Sequence, residues 1–562
     1  MKKILSLLLC LLISLPALLG AEPRRERVYI STDKEVYVAG DAVWLSAWCL
    51  DAGSGRLSDF SKVAYVELHS ATGMVQTAKL ALNGGRGAGR LTLPTTLPTG
   101  NYRLLAYTRL GASEEGFDPL TGARTLSVFN TFSNERTAGV KVVGEAPQTA
   151  AMPSSGTLAI ETTAAKTSSL ARIALVNNGA ETVSFSLSVR HNDGIPAPAG
   201  AHLADFVSAV RALPAARGFD RSVTPEYEGE IIRGHVSGTD EASREALQGK
   251  QVYLSSPGTG ESLYSEKITE GGQVTFITSN IYGDRELFLE IEGIDKRDGG
   301  HLELESPFLN LPAGELPSLQ LYSGWASALE LRGLGMQVEK NFDADTLYSA
   351  LPMNLHRILD SRDRTRYVLD DYTRFPLMEE LFIEFIPELR IRRVDGKREL
   401  QVRMPNRQAG TGFYFPTSDA LVLVDGIPIL DHEKLFSYDP LLVQFVDIYE
   451  KSYFLGLKNY TGVVNFVTYK GTLPSMQFAD NVRIVDFQGC SLPLSYTCAG
   501  VDASYPDFRQ TIYWHPTLTL APGERLELEC KTPLYGGIFE VVAEGLDAQG
   551  EAVSGRATLD VR

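Results

Sequence analysis

Few side chains in this sequence of 562 residues have the types and spacing that catalysis or metal binding needs. The strongest group is Asp431-His432-Glu433, whose carboxylates and imidazole could bind a metal ion or transfer protons. Three adjacent side chains point in different directions, however, so they do not easily share one ligand. Because Asp431 is also well placed to cap a helix, we favour a structural interpretation of this group.

A second acidic group surrounds Asp370-Asp371. These carboxylates could bind calcium together with Asp360 or Asp363. The sequence has no loop with the oxygen-ligand spacing of an EF-hand, so we interpret the pair as caps or as part of a solvated surface. We therefore predict no metal site.

The motifs of common enzymes are missing from the sequence. It contains no G-x-S-x-G turn, no H-E-x-x-H pair among its eight histidines, no G-x-x-x-x-G-K-[ST] loop and no C-x-x-C pair. The glycine-rich run 84–89 is typical of a hairpin loop between strands. Trp44 and Trp48 share one face of a predicted strand, where core packing is favoured over a ligand platform. We predict a non-enzymatic protein without a cofactor.

Composition restricts the class of the protein and its partners. Hydrophobic residues make up 44% of the chain and charged residues 22%, which is the balance of a folded protein. The 53 Lys and Arg against 69 Asp and Glu give a net charge of −16, which argues against nucleic acid and anionic lipid as partners. Frequent Gly, Pro, Tyr and Phe favour short strands and tight turns over long helices.

Residues 1–21 have the pattern of a secretory signal peptide. They begin with two lysines, continue as an apolar run and end on the small pair Gly20-Ala21. No later stretch approaches the ~20 apolar residues that a membrane helix needs. We therefore expect an exported protein that is soluble or peripheral to a membrane.

Four cysteines follow the predicted signal peptide. Export permits disulfides, and Cys490 and Cys498 are close enough in sequence to form one across a local turn. Cys49 and Cys530 share strand faces with apolar residues, so we expect both to be buried as small hydrophobic side chains.

The rest of the chain is dominated by short runs that alternate apolar and polar residues. This pattern predicts a mainly β protein, with tandem antiparallel β-sandwich domains and one α+β domain. The first predicted sandwich covers residues 22–135. It resembles the macroglobulin-type sandwich of the alpha-2-macroglobulin superfamily at Tyr29–Lys34, Tyr37, Gly40-Asp41, Trp44, Tyr65–Leu68 and Leu97–Arg103. Protease-trapping macroglobulins form a thioester within a Cys-Gly-Glu-Gln motif, which is absent here, so protease trapping is not expected.

Three segments follow this sandwich. After a linker at 136–150, residues 151–220 predict a second sandwich. Residues 226–312 resemble the carboxypeptidase-regulatory-like sandwich of exported Bacteroidetes proteins, on the segment Gly229–Gly238. Residues 313–365 have longer polar runs, and we interpret them as a connector with one or two short helices.

Residues 366–472 predict the α+β domain. A helix is expected at Pro376–Ile386, followed by a hairpin of Leu389–Val394 and Leu400–Val402 around Asp395-Gly396. The domain resembles the plug of TonB-dependent outer-membrane receptors at Met378–Leu381, Leu421–Ile429, Val446–Tyr449 and Thr461–Thr468. The resemblance implies partner-binding residues in its two most specific segments: Val424, Asp425, Gly426, Ile427, Pro428, Gly462, Val463, Val464 and Asn465.

The chain also differs from the receptor family. A receptor plug is followed by a barrel of about 22 strands, but only 90 residues follow Thr472, and no TonB box is evident. We therefore expect a plug-like domain without a barrel of its own, and the chain is not expected to be a transporter. Residues 473–562 predict a C-terminal sandwich, which is either separate or completes the split sandwich before it.

The order of these domains resembles exported multidomain proteins of Bacteroidetes. Our first hypothesis is a periplasmic accessory protein, peripheral to the outer membrane, that docks on or plugs an outer-membrane β-barrel. This barrel would be a TonB-dependent receptor or the translocon of type nine secretion. The alternative is a cell-surface adhesion or scaffolding protein that binds glycan or protein through its sandwiches. A third hypothesis is a hydrolase whose site carries no recognisable motif.

Overall fold

The structure of the protein, a computed structural model, describes most of the chain. The described residues are 24–144, 156–200, 202–258, 262–279, 281–294, 300–342, 348–352, 359, 361–406, 410, 412–478, 482–496 and 505–562. The predicted signal peptide, Asp360 and Cys498 lie outside them, so the interpretations of these residues stay predictions. The described residues form two compact units, one within 1–227, 310–352 and 490–562, the other within 228–309 and 353–489.

Strands dominate both units, so the mainly β fold class predicted from the sequence is confirmed. The strands of the first unit are Glu26–Thr32, Val36–Val38, Ala42–Asp51, Arg56–Leu57, Val63–Ser70, Gly73–Asn83, Arg86–Thr92, Gly100–Tyr107, Arg124–Phe129, Lys141–Val143, Leu158–Thr162, Leu170–Asn177, Val183–His191, Gln320–Tyr322, Tyr348–Ala350, Leu494–Tyr496, Thr511–Leu520, Arg525–Lys531, Gly537–Asp547 and Ala552–Val561. Those of the second unit are Glu230–Ser237, Gln251–Ser256, Ser262–Lys267, Gln273–Thr278, Asp284–Ile291, His301–Leu304, Thr365–Val368, Leu389–Val394, Lys397–Val402, Met404–Pro405, Phe413–Tyr414, Leu421–Val424, Ile427–Pro428, Val443–Leu455, Lys458–Thr468 and Arg483–Gln488.

Helices are few among the described residues. They are Arg109–Ala112, Leu203–Arg211 and Ala326–Asn341 in the first unit, and Glu241–Ala246, Met378–Glu384 and His432–Phe436 in the second. The helix Ala326–Asn341 has 16 residues and lies in the predicted connector, where we expected one or two short helices. Its Arg332 donates hydrogen bonds to Asp193 and to the carbonyl of Val36, so contacts distant in sequence stabilise it. Within the described residues, no helix is both long enough and apolar enough to cross a membrane.

The first sandwich, residues 26–129, is a nine-stranded sheet that folds around an apolar core. Val43, Leu45, Ala47 and Cys49 alternate along the strand Ala42–Asp51 and are fully buried, as expected for Cys49. The intervening Trp44 and Trp48 are buried on the opposite face of the strand, in two other apolar clusters. They therefore pack against neighbouring elements and not, as the sequence had predicted, in the core of this sandwich. The glycine-rich hairpin is also confirmed, but only Gly84-Gly85 forms the turn, and the following residues belong to the strand Arg86–Thr92.

The second sandwich combines residues from two distant parts of the chain. Val183–His191 pairs with both Thr511–Leu520 and Gly537–Asp547 in a six-stranded sheet. A three-stranded sheet, in which Leu170–Asn177 pairs with Arg525–Lys531, covers the same core, and Cys530 is buried there. The strands within 511–561 therefore share sheets with the strands within 158–191. Of the two arrangements that the sequence left open, the structure has the one in which the C-terminal strands complete the earlier sandwich.

The second unit contains a third sandwich and a mixed sheet. The third sandwich packs the strands of 230–304 in two sheets, and Arg483–Gln488 pairs with the edge of one of them at Asp284–Ile291. The mixed-sheet domain, residues 365–468, has the strand order 365–368, 443–455, 458–468, 421–424, 427–428. Its helix is Met378–Glu384, shorter than expected, because Leu377 is still extended and Phe385 ends the helix. Its hairpin turns at Asp395-Gly396 as predicted, with both residues at positive φ.

Candidate functional site

The two segments with predicted partner-binding residues lie side by side in the mixed sheet. Leu421–Val424 runs parallel to Val463–Phe466, so segments that are about 40 residues apart in the chain become neighbours. All nine predicted residues are buried. In the described structure these residues are packed within the domain, and the hypothesis that they bind a partner stays a prediction.

Asp425 shows what this interior position does. Its backbone has a φ of +48°, and its carboxylate accepts hydrogen bonds from Thr468 N at 2.7 Å, Thr468 Oγ1 at 2.6 Å and Leu473 N at 2.8 Å. Beside it, Gly426 N donates to Asn465 Oδ1 at 3.1 Å. These bonds join the turn after one strand to the end of its parallel neighbour. The described contacts of Asp425 and Asn465 therefore fix the register of the sheet, and both side chains use their acceptors within the domain.

Gly462 has a packing role. Its φ of +91° is one that residues with a side chain rarely adopt, and a Cβ there would clash with Val402 of the adjacent hairpin. The glycine thus permits close packing of the hairpin Leu389–Val402 on the sheet. Val463 and Val464, which follow it, are fully buried in the two apolar clusters on either side of the sheet.

The hairpin that contains Gly462 carries two large apolar side chains that are mostly exposed to water. Its two strands, Val443–Leu455 and Lys458–Thr468, meet at a tight connection, and we call residues 454–458 the exposed turn. Phe454 is 70% exposed and Leu457 is 80% exposed. Sequence reasoning missed these residues, because an apolar residue in a hairpin is expected to be buried.

The exposed turn is held firmly in place. Lys458 Nζ lies 2.6 Å from Glu292 Oε1, and the hydroxyl of Tyr460 lies 2.6 Å from that of Tyr253. A Cβ on Gly456 would clash with the carbonyl of Ser265, so the turn lies directly against the third sandwich. The protein therefore presents Phe454 and Leu457 on an ordered backbone, which lowers the conformational entropy that binding costs.

A cleft of about 350 Å³, which we call the charged cleft, lies beside this hairpin in the second unit. Its lining carries both signs of charge together with apolar side chains from several elements. The charged and polar lining residues are Glu290, Glu292, Lys397, Arg398, Glu399, Asp419, Asp431, His432, Lys434, Lys458 and Tyr460. Burial raises the pKa of Glu290 to about 7, so this carboxyl is partly protonated near neutral pH.

The group Asp431-His432-Glu433 borders the charged cleft, and the preferred interpretation is confirmed. Asp431 caps the helix His432–Phe436 by accepting a hydrogen bond from Glu433 N. His432 Nδ1 accepts one from Leu400 N at 3.0 Å, and burial lowers the pKa of the imidazole to about 4. Hydrogen bonds from Arg398 lower the pKa of Glu433 to about 2. Each side chain therefore has a different partner, and the three do not converge on one ligand.

In the described structure the candidate calcium ligands Asp370 and Asp363 have separate protein partners, and Asp360 lies outside the described residues. Asp370 accepts a hydrogen bond from the hydroxyl of Tyr469 at 2.6 Å, while Asp363 is paired with Lys451. No group of three or more His, Cys, Asp or Glu residues in the described part of the chain is arranged to hold a metal ion.

Cys490, one half of the predicted disulfide, is buried, and its predicted partner lies outside the described residues.

Comparison with known proteins finds similarity only among solved structures. No protein-family model and no curated protein matches the chain. The structure of trypsin-activated alpha-2-macroglobulin from Escherichia coli matches at a TM-score of 0.24 and 10% identity, over 96% of this chain and 42% of that chain. Salmonella alpha-2-macroglobulin reacted with methylamine matches at 0.23 and 10% identity, over 96% and 40%. The Yersinia pseudotuberculosis adhesin InvE matches at 0.14 and 12% identity, over 50% and 57%.

The chain spans about two-fifths of the length of the macroglobulins that it matches. At TM-scores of this size, none of their properties is carried over to this chain. The tandem β-sandwich architecture rests on the strand pairing described above.

Proposed function

We propose that this protein is a non-enzymatic adaptor of the periplasm that docks on an outer-membrane β-barrel through residues 366–472. The barrel is a TonB-dependent receptor or the translocon of type nine secretion, and the adaptor stays peripheral to the membrane. The observation that carries the proposal is the exposed turn, where Phe454 and Leu457 are 70% and 80% exposed on an anchored backbone. Large apolar side chains of this kind commonly form the centre of a protein interface.

The chemistry of the surface supports a protein partner. The net charge of −16 disfavours an anionic bilayer or nucleic acid, and apolar anchors need a complementary apolar pocket. The resemblance of residues 366–472 to receptor plugs supports a barrel as the owner of that pocket. The buried residues around Asp425 then have an indirect role, because they hold the sheet from which the hairpin projects.

Site-specific photocrosslinking in cells that produce the protein tests this proposal. A photoreactive phenylalanine analogue at position 457 is expected to form adducts with a β-barrel protein. The matched control is position 170 in the second sandwich, where Leu170 is 52% exposed but lies in the other compact unit. Absence of barrel adducts from positions 454 and 457, or equal adducts from position 170, would contradict docking through this turn.

The alternative, a cell-surface adhesion or scaffolding protein that binds glycan or protein, is supported by the charged cleft. Its volume of about 350 Å³ and its mixture of charged, aromatic and apolar groups suit a short glycan or peptide. Protease treatment of intact cells separates the two proposals. A surface protein is digested, whereas a periplasmic adaptor is protected until the outer membrane is opened.

A further inference from the structure

The six-stranded sheet of the second sandwich has one face that its apolar core does not use. Along Val183–His191, the residues Phe185, Leu187 and Val189 point into the core, so Ser186 and Ser188 point to the opposite face. Strand pairing places further residues on this second face. Ser188 pairs with Val542, which pairs in turn with Arg556 on the edge strand.

A cleft of about 240 Å³, which we call the sheet cleft, lies on this face within the first unit. Its other walls come from the first sandwich and from the start of the helix Leu203–Arg211. Much of the lining is apolar or small, including Leu203, Ala204, Val542 and Val553. The volume lies below the roughly 300–1,000 Å³ that is common for drug-sized ligands, so the cleft suits a small ligand with an apolar body.

Most of the charged groups around the sheet cleft are already paired. Glu35 lies 2.8 Å from Arg124 and 2.9 Å from Arg190. Glu544 accepts hydrogen bonds from the hydroxyl of Ser31 at 2.8 Å and from Leu203 N at 2.9 Å. These two carboxylates and two arginines therefore have partners within the protein and build the wall of the cleft.

Arg556 differs from the other charged groups. Its nearest carboxylate oxygen, on Glu540, lies 3.6 Å away, and no described residue accepts a hydrogen bond from its guanidinium. The side chain is only 19% exposed, and burial lowers its pKa. A guanidinium removed from water without hydrogen-bond acceptors is costly, and a carboxylate can satisfy two of its N–H groups at once.

We propose that the sheet cleft binds a small amphipathic carboxylate, with the apolar body against Val542 and the carboxylate on Arg556. The lining favours an anion, because it carries three arginines against two glutamates, both of which are hydrogen-bonded or ion-paired. Either a short fatty acid or the carboxyl terminus of an apolar peptide has this chemistry. The site is independent of the exposed turn, which belongs to the other compact unit.

Isothermal titration calorimetry on the full chain tests the proposal with two pairs of probes. Octanoate and octanamide have the same apolar body, as do N-acetyl-leucine and its amide, and only one member of each pair is an anion. We expect at least one acid to bind roughly tenfold more tightly than its amide, the difference that a charge-assisted hydrogen bond makes. The pair that shows this preference distinguishes a fatty acid from a peptide terminus as the source.

Two variants locate the site. Arg556→Gln should make acid and amide bind equally, whereas Arg172→Gln, at a side chain that is 82% exposed, should leave the preference unchanged. Val542→Phe should fill the cleft and reduce the binding of both members of the pair. Circular dichroism of each variant establishes that it folds. Absence of saturable binding by both acids, equal affinity for acid and amide, or a preference that persists in Arg556→Gln would overturn the proposal.

Discussion

The hydroxyl groups of Tyr253 and Tyr460 lie 2.6 Å apart, although 207 residues separate them in the chain. Tyr253 belongs to the third sandwich, and Tyr460 follows the exposed turn of the mixed-sheet domain. Both side chains are buried, and burial raises the pKa of each phenol. This hydrogen bond is one of the contacts that fix the exposed turn relative to the sandwich beneath it.

The energy of this contact can be measured by a double-mutant cycle. Tyr253→Phe and Tyr460→Phe each leave one buried hydroxyl without its partner, so we expect each to lower the free energy of unfolding by about 1–2 kcal/mol. The double variant should cost little more than either single one, with a coupling energy of about 1 kcal/mol. Urea denaturation provides these values. Tyr414→Phe, at a half-exposed tyrosine, is the control, and additive effects of the two main variants would contradict the coupling.

The two Asp-Gly turns of the mixed-sheet domain form a matched pair. Asp395 and Asp425 have nearly the same φ, +49° and +48°, but Asp395 is exposed and Asp425 is 3% exposed. Asp425→Ala leaves the buried donors of Thr468 and Leu473 without an acceptor, so we expect a loss of about 3 kcal/mol or more. Asp395→Ala should cost about 1 kcal/mol or less. Similar losses in urea denaturation would show that backbone conformation, and not the buried carboxylate, is what matters at position 425.

Glu290 should make stability depend on pH. Its pKa is raised by burial from 4.5 to about 7, so the folded protein retains a proton that the unfolded chain loses between these values. The stability that this proton contributes is complete below the pKa that Glu290 has in the unfolded chain. It is lost as the pH rises through the pKa that Glu290 has in the folded protein. Glu290→Gln should therefore stabilise the protein more at about pH 8 than at about pH 4, by about 2 kcal/mol after allowance for partial exposure.

Thermal or urea unfolding of the wild type and Glu290→Gln at both pH values provides this comparison. The measured quantity is the difference between the two proteins, so other titrating groups cancel. A stability difference that is the same at both pH values would mean that Glu290 is solvated in the folded protein.

The exposed turn should affect binding without affecting stability. Phe454→Ser and Leu457→Ser remove side chains that are largely in water, so we expect changes of less than about 0.5 kcal/mol in the free energy of unfolding. The same variants should lose the barrel adducts expected from photocrosslinking at position 451, on the same hairpin. Leu455→Ser is the contrasting variant, because Leu455 is 5% exposed and its replacement should destabilise the domain. Adducts that persist in the Phe454 and Leu457 variants would exclude these side chains as anchors.

Local features of this protein were predictable from its sequence. The turn at Asp395-Gly396, the hairpin at Gly84-Gly85 and the cap at Asp431 depend on residues within a few positions of one another. The alternation that buries Cys49 and Cys530 is local as well. These features follow from backbone preferences and strand periodicity, which neighbouring residues determine.

The partners of each strand were decided by the tertiary structure. Arg483–Gln488 pairs with Asp284–Ile291, and Thr511–Leu520 pairs with Val183–His191, although each pair is separated by about 200 residues or more. An alternating strand shows which of its faces is apolar, but not which strand edge will accept its backbone hydrogen bonds. The sequence alone therefore left open whether the last strands form a separate sandwich.

The sequence by itself determined that this is an acidic, mainly β protein with tandem sandwiches and no common catalytic motif. Only the tertiary structure decided that Asp425 is buried while Leu457 is exposed. It also decided that Arg556 lines a cleft in which no described residue accepts a hydrogen bond from its guanidinium. The exposed fraction of a side chain and its hydrogen-bond partners depend on which distant segments pack against it. Spacing along the chain does not contain that information, because the packing of the whole unit determines it.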